Sequence, residues 1–307
     1  MRVAIIDVGS NSIKLLVASR GPGGLLVEEA SRVLEVRIGG GIGSLRPRLD
    51  GGAAERAVAA IASLAAEARG LGADRVVAVA TSAVRDASNS REFLERAKAA
   101  TGLGIRILTG PEEAGLIGRG LTTDPALAGL RDFHVYDLGG GSLECLSFRN
   151  RGVDRAASLP LGCVRLTEMF VAEPSLPFGE ASARAIARHV RDTLLGSGFE
   201  LPVPPGLEVV GTGGTLSTVR SIDAAGRGVA FDQSSPTIGV ARLRELLASV
   251  GAMDLAGRRR VPGLPPERAD VFPAALAILL ALADVGAIRA FRHSPRNLRW
   301  GIADESL

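Results

Sequence analysis

The sequence predicts an α/β protein of two domains, each with a mixed sheet that is flanked by helices. The chain has 307 residues and 46% hydrophobic content, which is enough for about two domains with substantial cores. Short apolar runs of strand length alternate with segments of helical periodicity. The segment 7–14 returns without gaps as segment 137–144. Each half of the chain therefore opens on the same motif, as expected for two related domains.

The repeated motif consists of two short apolar runs around a glycine-containing turn, which indicates a β-hairpin. Asp7 aligns with Asp137, and Lys14 aligns with Glu144. Small residues at a hairpin tip allow consecutive backbone N–H groups to converge on one point, a geometry that suits phosphate oxygens. The tip residues that we predict to bind phosphate are Gly9, Ser10, Asn11 and Ser12 in the first copy and Gly139, Gly140, Gly141 and Ser142 in the second.

Carboxylates flank both tips. Oxygen ligands of this kind bind hard divalent cations. The predicted cation ligands are Asp7, Asp137 and Glu144. We therefore expect a Mg²⁺ ion, or Mn²⁺ in its place, beside the phosphate-binding tips.

The first half of the chain alternates strands and helices. Strands are predicted at 3–8, 13–18, 27–38, 75–80 and 105–108, and a helix is predicted at 54–69. The run 75–80 is apolar after its first residue, so we expect a fully buried strand. Residues 81–85 follow the end of this strand, where α/β proteins commonly bind ligands. Asn89 and Glu92 have the spacing of a helix cap, which predicts that Asn89 caps the next helix.

A further helix is predicted to begin near Thr109, since a threonine followed by Pro111 is typical of a helix start. Glu112 lies three residues after Thr109, the position of a capping-box partner, and acidic residues favour the first turn of a helix. A structural role is therefore sufficient for Glu112. One capping box needs only one glutamate, so we predict that Glu113 is unpartnered, faces the active site and acts as a general base.

The second half begins after a connecting segment at 121–132. We predict a first domain at 1–123 that is completed by about 292–307, because the final helix, 298–303, is expected to pack on it. The second domain is then 124–291. Its predicted helices are 181–195, with Ile186, Val190 and Leu194 on one face, followed by 240–250 and 268–287. Residues 258–260 are three arginines that we expect to be solvated in a loop.

A third glycine turn follows a strand-like run at 207–210. Its residues are Gly211, Thr212, Gly213, Gly214 and Thr215. A helix N-terminus behind such a turn binds anions readily. A tight connection between a strand and a helix needs the same glycines, so the turn alone leaves both interpretations open.

Composition excludes several other functions. The net charge is only +3 and aromatic residues make up 4% of the chain, which argues against base stacking on single-stranded nucleic acid. Cys145 and Cys163 form no zinc or disulfide pattern, so we expect buried, reduced thiols. No apolar run is long enough to cross a bilayer and no signal peptide is recognisable. We therefore expect a cytoplasmic protein that binds neither a membrane nor nucleic acid.

The residue types together suit transfer of a phosphoryl group to water, a reaction that depends on positioning and charge neutralisation. The glycine turns would bind phosphates, the aspartates and Glu144 would hold a cation, and Glu113 would be the base. The three histidines are scattered and no nucleophile is recognisable. We expect these groups to meet in a cleft between the two domains.

In these motifs the sequence resembles the exopolyphosphatase and guanosine pentaphosphate phosphohydrolase (Ppx/GppA) family, within the actin, Hsp70 and sugar-kinase superfamily of ribonuclease-H-like folds. The resemblance is to the short form, which lacks the HD-like C-terminal extension. It rests on 7–12, 81–85 with Asn89, 110–116, 137–144, Gly162 with Arg165 and Leu166, 211–215, 263–270 and 298–301.

The resemblance implies two ribonuclease-H-like domains with Glu113 as the catalytic base. It also implies that Asp137 and Glu144 organise Mg²⁺ and water. The residues that it assigns to phosphate binding are Ser10, Asn11, Arg85, Gly140, Gly141 and Ser142. A homodimer is expected from the family alone.

The leading hypothesis from the sequence is hydrolysis of the terminal phosphoanhydride of inorganic polyphosphate, with release of orthophosphate. The nearest rival is removal of the terminal phosphate of guanosine pentaphosphate (pppGpp). A sugar or acid kinase is a second class, because the third glycine turn is suited to a nucleotide. The third class is a non-catalytic sensor that binds ppGpp or polyphosphate.

Overall fold

A computed structural model describes the chain from Met1 to Leu307. The chain divides into two compact units. The first unit comprises Met1–Gly129 and Arg296–Leu307, and the second comprises Leu130–Pro295. The boundaries predicted from the sequence, 123/124 and about 291/292, lie a few residues earlier in the chain.

The first unit is built on one mixed sheet. Its strands are β1 (Arg2–Val8), β2 (Ser12–Arg20), β3 (Leu26–Glu35), β4 (Arg75–Ala80) and β5 (Ile105–Ile107). The strand order is β3-β2-β1-β4-β5, and β1 pairs antiparallel with β2 and parallel with β4. The helices are α1 (Gly51–Gly70), α2 (Ser82–Asp86), α3 (Ser90–Thr101), α4 (Gly110–Thr122) and α11 (Leu298–Ser306).

Strand β1 forms the centre of this sheet. Its residues from Val3 to Val8 are all buried, because α1 and α11 both pack against it. A strand that is buried on both faces reads as a continuous apolar run, which is the pattern of residues 3–6, before Asp7. Strand β4 differs from the prediction, since only its last three residues are buried. Its first half has no neighbour on one side, because β5 pairs only with residues 78–80.

Two further predictions in this unit have opposite outcomes. Asn89 precedes α3 but makes no cap hydrogen bond. Its side-chain amide instead accepts from the N–H of Leu49 at 2.9 Å and donates to the carbonyl of the same residue at 3.1 Å. The predicted cap is therefore wrong, because both amide groups are already bonded. The prediction that the final helix packs on the first unit is confirmed, since α11 lies against α4 and β1.

The second unit also contains one mixed sheet. Its strands are β6 (Phe133–Leu138), β7 (Leu143–Arg149), β8 (Gly152–Leu159), β9 (Glu208–Thr212), β10 (Thr237–Gly239) and β11 (Ala290–His293), in the order β10-β11-β9-β6-β7-β8. The helices are α5 (Cys163–Phe170), α6 (Glu180–Gly196), α7 (Gly214–Arg227), α8 (Val240–Gly251), α9 (Leu255–Arg258) and α10 (Phe272–Gly286). Short 3₁₀ turns occur in the two units at Pro22–Gly24, Pro125–Leu127, Phe231–Gln233 and Pro266–Arg268.

The core of the second unit includes α10, which is apolar on all sides because α5, α6 and α8 surround it. The helix begins at Phe272, later than the predicted start at 268, and Pro273 fits its first turn because a residue there needs no N–H donor. The predicted buried face of α6 is confirmed as Ile186, Val190 and Leu194.

The expectation that residues 258–260 are solvated is wrong for Arg258, which is 1% exposed. Its guanidinium donates to the carbonyl oxygens of Ala269 at 3.0 Å, Pro174 at 2.7 Å and Leu176 at 2.6 Å. Burial lowers the pKa of Arg258. The fold retains a buried guanidinium here because loop carbonyls satisfy it.

Both cysteines are buried and outside any disulfide, as predicted. Burial raises the pKa of the Cys145 thiol, which is consistent with an unreactive side chain. None of the helices combines the length and the apolar character that crossing a membrane requires.

Candidate active site

The first copy of the repeated motif, hairpin 1 (residues 7–14), joins β1 to β2. Asp7 lies opposite Lys14 in the strand register. The tip is closed by a hydrogen bond of 3.1 Å from the N–H of Gly9 to the carbonyl of Ser12.

The second copy, hairpin 2 (residues 137–144), joins β6 to β7 with the same geometry. Asp137 lies opposite Glu144. The N–H of Gly139 donates to the carbonyl of Ser142 at 3.0 Å. The repeat predicted from the sequence is therefore a repeat of backbone structure, including the bond that closes each tip.

Side chains and neighbouring backbone both hold the tip of hairpin 1. The carbonyl of Ser10 accepts from the N–H of Gly39 at 2.8 Å, and the carbonyl of Asn11 accepts from the N–H of Arg37 at 2.8 Å. The Ser10 hydroxyl lies 3.1 Å from the Ser82 hydroxyl at the start of α2. The Asn11 amide donates to Oε2 of Glu35 at 2.5 Å and accepts from Nε of Arg37 at 3.1 Å. These contacts fix the orientation of two side chains that the sequence assigns to phosphate binding.

The tip of hairpin 2 is held through its backbone. The carbonyl of Gly140 accepts from the N–H of Val164 at 2.8 Å, and the carbonyl of Gly141 accepts from Nε of Arg165 at 2.9 Å. A Cβ atom on Gly162 would overlap the backbone of Gly140 and Gly141. The start of α5 therefore packs directly on this tip, and only a glycine at 162 allows that approach.

The three carboxylates predicted to bind a cation are all buried. Oδ1 of Asp7 is buried without a hydrogen-bond partner. Asp137 and Glu144 are neighbours on adjacent strands, and the Ser158 hydroxyl donates to Oε1 of Glu144 at 2.8 Å. No group of three or more His, Cys, Asp or Glu side chains is close enough to hold a metal ion. The carboxylates therefore do not form a complete protein cage for a cation.

Glu113 lies in the first turn of α4 and is 6% exposed. Nη1 of Arg85, which is on α2, donates to Oε2 of Glu113 at 2.8 Å and to the carbonyl of Leu108 at 2.9 Å. The prediction that Glu113 is unpartnered is therefore wrong. A buried carboxylate needs a compensating charge and donors, and Arg85 supplies both.

The neighbouring Glu112 has the structural role that the sequence predicts. It forms a capping box with Thr109, whose N–H donates to Oε2 of Glu112 at 2.8 Å. This backbone hydrogen bond lowers the pKa of Glu112. The two adjacent glutamates thus differ in environment, since Glu112 is exposed and Glu113 is buried.

Helix α2 contacts both hairpin 1 and Glu113 in the first unit. Ser82 contacts the tip of hairpin 1, and Arg85, one turn later, holds Glu113. Arg85 therefore lies on the segment after β4 where the sequence predicts ligand binding.

The third glycine turn (residues 211–215) lies beside hairpin 2, because β9 pairs with β6 and places Thr212 next to Asp137. Gly213 has φ +97°, and a Cβ there would lie 2.6 Å from Oδ1 of Asp137. Glycine is therefore required at this position for both conformation and space. The hydroxyls of Thr212 and Thr215 are buried without hydrogen-bond partners.

Arg268 is a candidate site residue that the sequence motifs do not single out. It is 9% exposed, its Nε has no hydrogen-bond partner, and its guanidinium would lie 2.5 Å from a Cβ on Gly214, at the N-terminus of α7. A cation at the positive end of a helix is unfavourable by itself, and an anion bound there would interact favourably with both. The only sequence signal is its position in the segment 263–270 of the resemblance.

A buried polar network supports the first turn of α7. The Ser217 hydroxyl lies 3.1 Å from Nε2 of His293, and Nη1 of Arg220 lies 3.1 Å from Nδ1 of the same histidine. Since a guanidinium can only donate, Nδ1 accepts and Nε2 carries the proton. Burial lowers the pKa of Arg220. This network fixes the base of the third glycine turn.

Two mixed sheets with glycine turns and carboxylates at the ends of their inner strands define a protein of the actin-like ATPase fold. The chain belongs to the Ppx/GppA phosphatase family, whose model matches residues 18–307.

Individual relatives agree with this assignment. Exopolyphosphatase 1 of Mycobacterium bovis is 29% identical over 304 residues, which cover 98% of this chain and 87% of that protein. The structure of the Ppx/GppA enzyme of Aquifex aeolicus is 26% identical, with a TM-score of 0.78 over 99% of each chain. An exopolyphosphatase from Cytophaga hutchinsonii, 21% identical with a TM-score of 0.86 over 98% of this chain and 96% of that chain, shares the fold.

Proposed function

We propose that this protein is an exopolyphosphatase that depends on Mg²⁺, or on Mn²⁺, and removes the terminal phosphate of inorganic polyphosphate. The observation that carries the proposal lies in the second unit. Two carboxylates, two glycine turns and the guanidinium of Arg268 occupy adjacent positions around β6. This set of groups suits a phosphoanhydride with its counter-ion, because it offers amides and a cation to the phosphates and carboxylates to a metal.

Phosphate binding would use groups that are already oriented. The tips of hairpins 1 and 2 offer backbone amides, and the N-terminus of α7 offers amides together with Arg268. The buried hydroxyls of Thr212 and Thr215 lack partners and are further candidate donors to phosphate oxygens. Little reorganisation is then needed when the substrate binds.

Asp137 and Glu144 of the second unit would hold the cation, and Asp7 of the first unit is a further candidate ligand. The buried, unpartnered Oδ1 of Asp7 fits this role, because a carboxylate oxygen without a donor is costly unless a ligand satisfies it. Mg²⁺ usually takes only one or two carboxylates and completes its coordination with water and phosphate oxygens. When bound, it would neutralise charge on the phosphate oxygens.

Glu113 would accept a proton from the attacking water. The water oxygen bonds to the terminal phosphorus, the bond from that phosphorus to the bridging oxygen breaks, and the products are orthophosphate and a chain shortened by one phosphate. The hydrogen bond from Arg85 fixes Oε2 of Glu113 and so orients the carboxylate. General-base help of this kind contributes about 10²–10⁴ in rate.

A substrate panel tests the proposal. Phosphate release is measured from polyphosphates of defined length and from pppGpp, with and without Mg²⁺. We expect release from polyphosphate that stops when the cation is chelated. Release from pppGpp alone would transfer the assignment to the nucleotide. Tight binding of either compound without turnover would make the protein a sensor instead.

The rival substrate pppGpp presents the same terminal phosphoanhydride, and the guanidinium of Arg268 is also suited to its diphosphate. Competition between the two compounds in one reaction ranks them by kcat/KM. The family-based homodimer stays a prediction, which sedimentation velocity tests.

A further inference from the structure

A row of arginines on α6 borders a cavity in the second unit, away from the glycine turns. Arg184, Arg188 and Arg191 are spaced by four and three residues, so they share one face of the helix and span about 10 Å. The cavity has a volume of about 300 Å³ and its remaining walls come from Ala187 and from α10. We call this surface the α6 basic row.

The charges of the α6 basic row are only partly compensated. Arg184 pairs with Glu180 at 2.6 Å. The acidic wall residue Asp284 is bound by Arg244 of α8 at 2.8 Å. The side chains of Arg188 and Arg191 make no ion pair and no hydrogen bond. Like charges three and four residues apart weakly destabilise a helix, and a bound anion would relieve that repulsion.

The residues that line the cavity favour binding of a flexible polyanion that carries no nucleobases. Guanidinium groups match phosphate geometry through paired N–H donors. The other wall residues are small or aliphatic, namely Ala187, Ala281 and Val285, and no aromatic side chain is available for base stacking. These features suit a phosphate chain better than single-stranded nucleic acid.

The row and Arg268 lie near opposite ends of α10, and their separation sets the length of chain that could reach both. Arg268 touches the N-terminus of α7, and α10 begins four residues later, at Phe272. The row lies against the other end of α10, at Asp284, which is 12 residues or about 18 Å along the helix. A long polyphosphate can cover such a distance, and a short one cannot.

We infer that the α6 basic row binds distal phosphates of long-chain polyphosphate, and this inference rests on the proposed function. The double variant Arg188→Ala/Arg191→Ala tests it. The expected result is a KM for long-chain polyphosphate raised about 10-fold, with kcat unchanged and with kinetics on tripolyphosphate unaltered. The salt dependence of the long-chain KM should also become weaker.

The matched control is Arg259→Ala/Arg260→Ala, which removes the same charge from exposed positions of the same unit. It should leave the long-chain KM unchanged. The inference would be overturned if both double variants raised the long-chain KM equally, because loss of positive charge anywhere on the unit would then explain the result. It would also be overturned if Arg188→Ala/Arg191→Ala raised KM equally for short and long chains.

A binding assay separates this inference from the proposed function. Fluorescently labelled long-chain polyphosphate is titrated with wild type and both double variants. If wild type releases no phosphate from any chain length, the proposed function fails, while selective loss of binding in Arg188→Ala/Arg191→Ala still supports the row. If wild type hydrolyses long chains and all three proteins bind them equally, only the row is refuted. Complete displacement by an oligonucleotide of equal charge, with unchanged KM values, would assign the surface to nucleic acid and refute it too.

Discussion

Hairpin 1 and hairpin 2 have the same backbone but are held in different ways. Both place an aspartate on the first strand and close the tip with a hydrogen bond of 3.0–3.1 Å from a glycine N–H. In hairpin 1 the tip side chains Ser10 and Asn11 are bonded to neighbouring side chains. In hairpin 2 the tip is glycine backbone, on which the start of α5 packs. Neighbouring backbone thus supports both tips, through Gly39 and Arg37 in hairpin 1 and through the start of α5 in hairpin 2, and hairpin 1 has side-chain hydrogen bonds in addition.

The residue opposite each aspartate differs as well. Lys14 faces Asp7, whereas Glu144 faces Asp137. A lysine at this register position brings a positive charge to the strand pair, whereas a second carboxylate increases the negative charge and favours a cation. The comparison favours Asp137 and Glu144 of the second unit as the main ligands of the proposed cation. Glu113, the proposed base, and Arg85 lie together in the first unit.

The largest expected effect is a loss of phosphate release in Glu113→Gln, which tests the proposed role of Glu113 as the general base. Glu113→Gln keeps an acceptor for Arg85 but cannot take a proton. We expect phosphate release to fall by about 10²–10⁴, with the melting temperature little changed. The control is Glu112→Gln, since glutamine is also a good capping-box residue and should retain activity. Equal activity of wild type and Glu113→Gln would remove this residue from the proposed role.

Close packing on hairpin 2 predicts the next largest effect. Gly162→Ala places a Cβ 2.3 Å from backbone atoms of Gly140 and Gly141, whereas Gly39→Ala, beside hairpin 1, places it 2.8 Å from the Cβ and 2.9 Å from the carbonyl oxygen of Ser10. We expect Gly162→Ala to lower the free energy of unfolding by about 3 kcal/mol or more and to reduce activity, and Gly39→Ala to cost less. Urea unfolding measures both.

Gly179→Ala serves as the reference for this pair, because a Cβ at 179 would meet nothing within 4 Å. If Gly162→Ala were as stable as Gly179→Ala, the backbone contact between α5 and hairpin 2 would not be close. The described difference between the two hairpins would then be wrong.

Side-chain support of hairpin 1 predicts a smaller effect. Asn11→Ala removes the hydrogen bonds to Glu35 and from Arg37, both of which are partly accessible to water. We expect a loss of about 1–2 kcal/mol in the free energy of unfolding, measured in urea. Glu35→Gln keeps an acceptor for Asn11 and should cost clearly less. An equal cost of the two substitutions would mean that the amide of Asn11 is not what holds the tip.

Local signals in the sequence were sufficient to predict the repeat, the capping box at Thr109 and the buried face of α6. Each depends on residues that are close in the chain, so their spacing carries the information. Strand β8 illustrates the limit. Its residues 152–156 are exposed and not alternately apolar, so the strand is formed by pairing with β7, which no local pattern reveals.

The partners of buried charges could not be predicted either, because they lie far away in the sequence. Arg85 meets Glu113 across 28 residues, and Arg258 meets the carbonyl of Pro174 across 84 residues. Arg268 likewise meets Gly214 only through the tertiary fold. Sequence spacing identifies which groups are chemically suited to a site, whereas burial and long-range contacts decide which of them are paired.

The smallest expected effect is on the pH dependence of stability. It concerns the buried imidazole of His134 in the second unit. His134 on β6 aligns with Ala4 on β1, and both are buried. Burial lowers the pKa of His134, whose ring contacts Phe199. The unfolded chain therefore binds a proton that the folded chain does not, below the ordinary histidine pKa of about 6.5. Stability should fall as the pH drops below that value, until the lower pKa of the folded state is reached.

His134→Phe keeps a ring against Phe199 and removes the titrating group. Melting temperatures at pH 7.5 and pH 5.5 measure the effect, and the drop between them should be smaller in the variant than in wild type. All other titrating groups are common to both proteins, so the difference isolates His134. His189→Phe controls for removal of an imidazole from an outer helix. An identical drop in wild type and His134→Phe would show that the acid sensitivity of the second unit arises elsewhere, and that the exchange of Ala4 for His134 has no effect on stability.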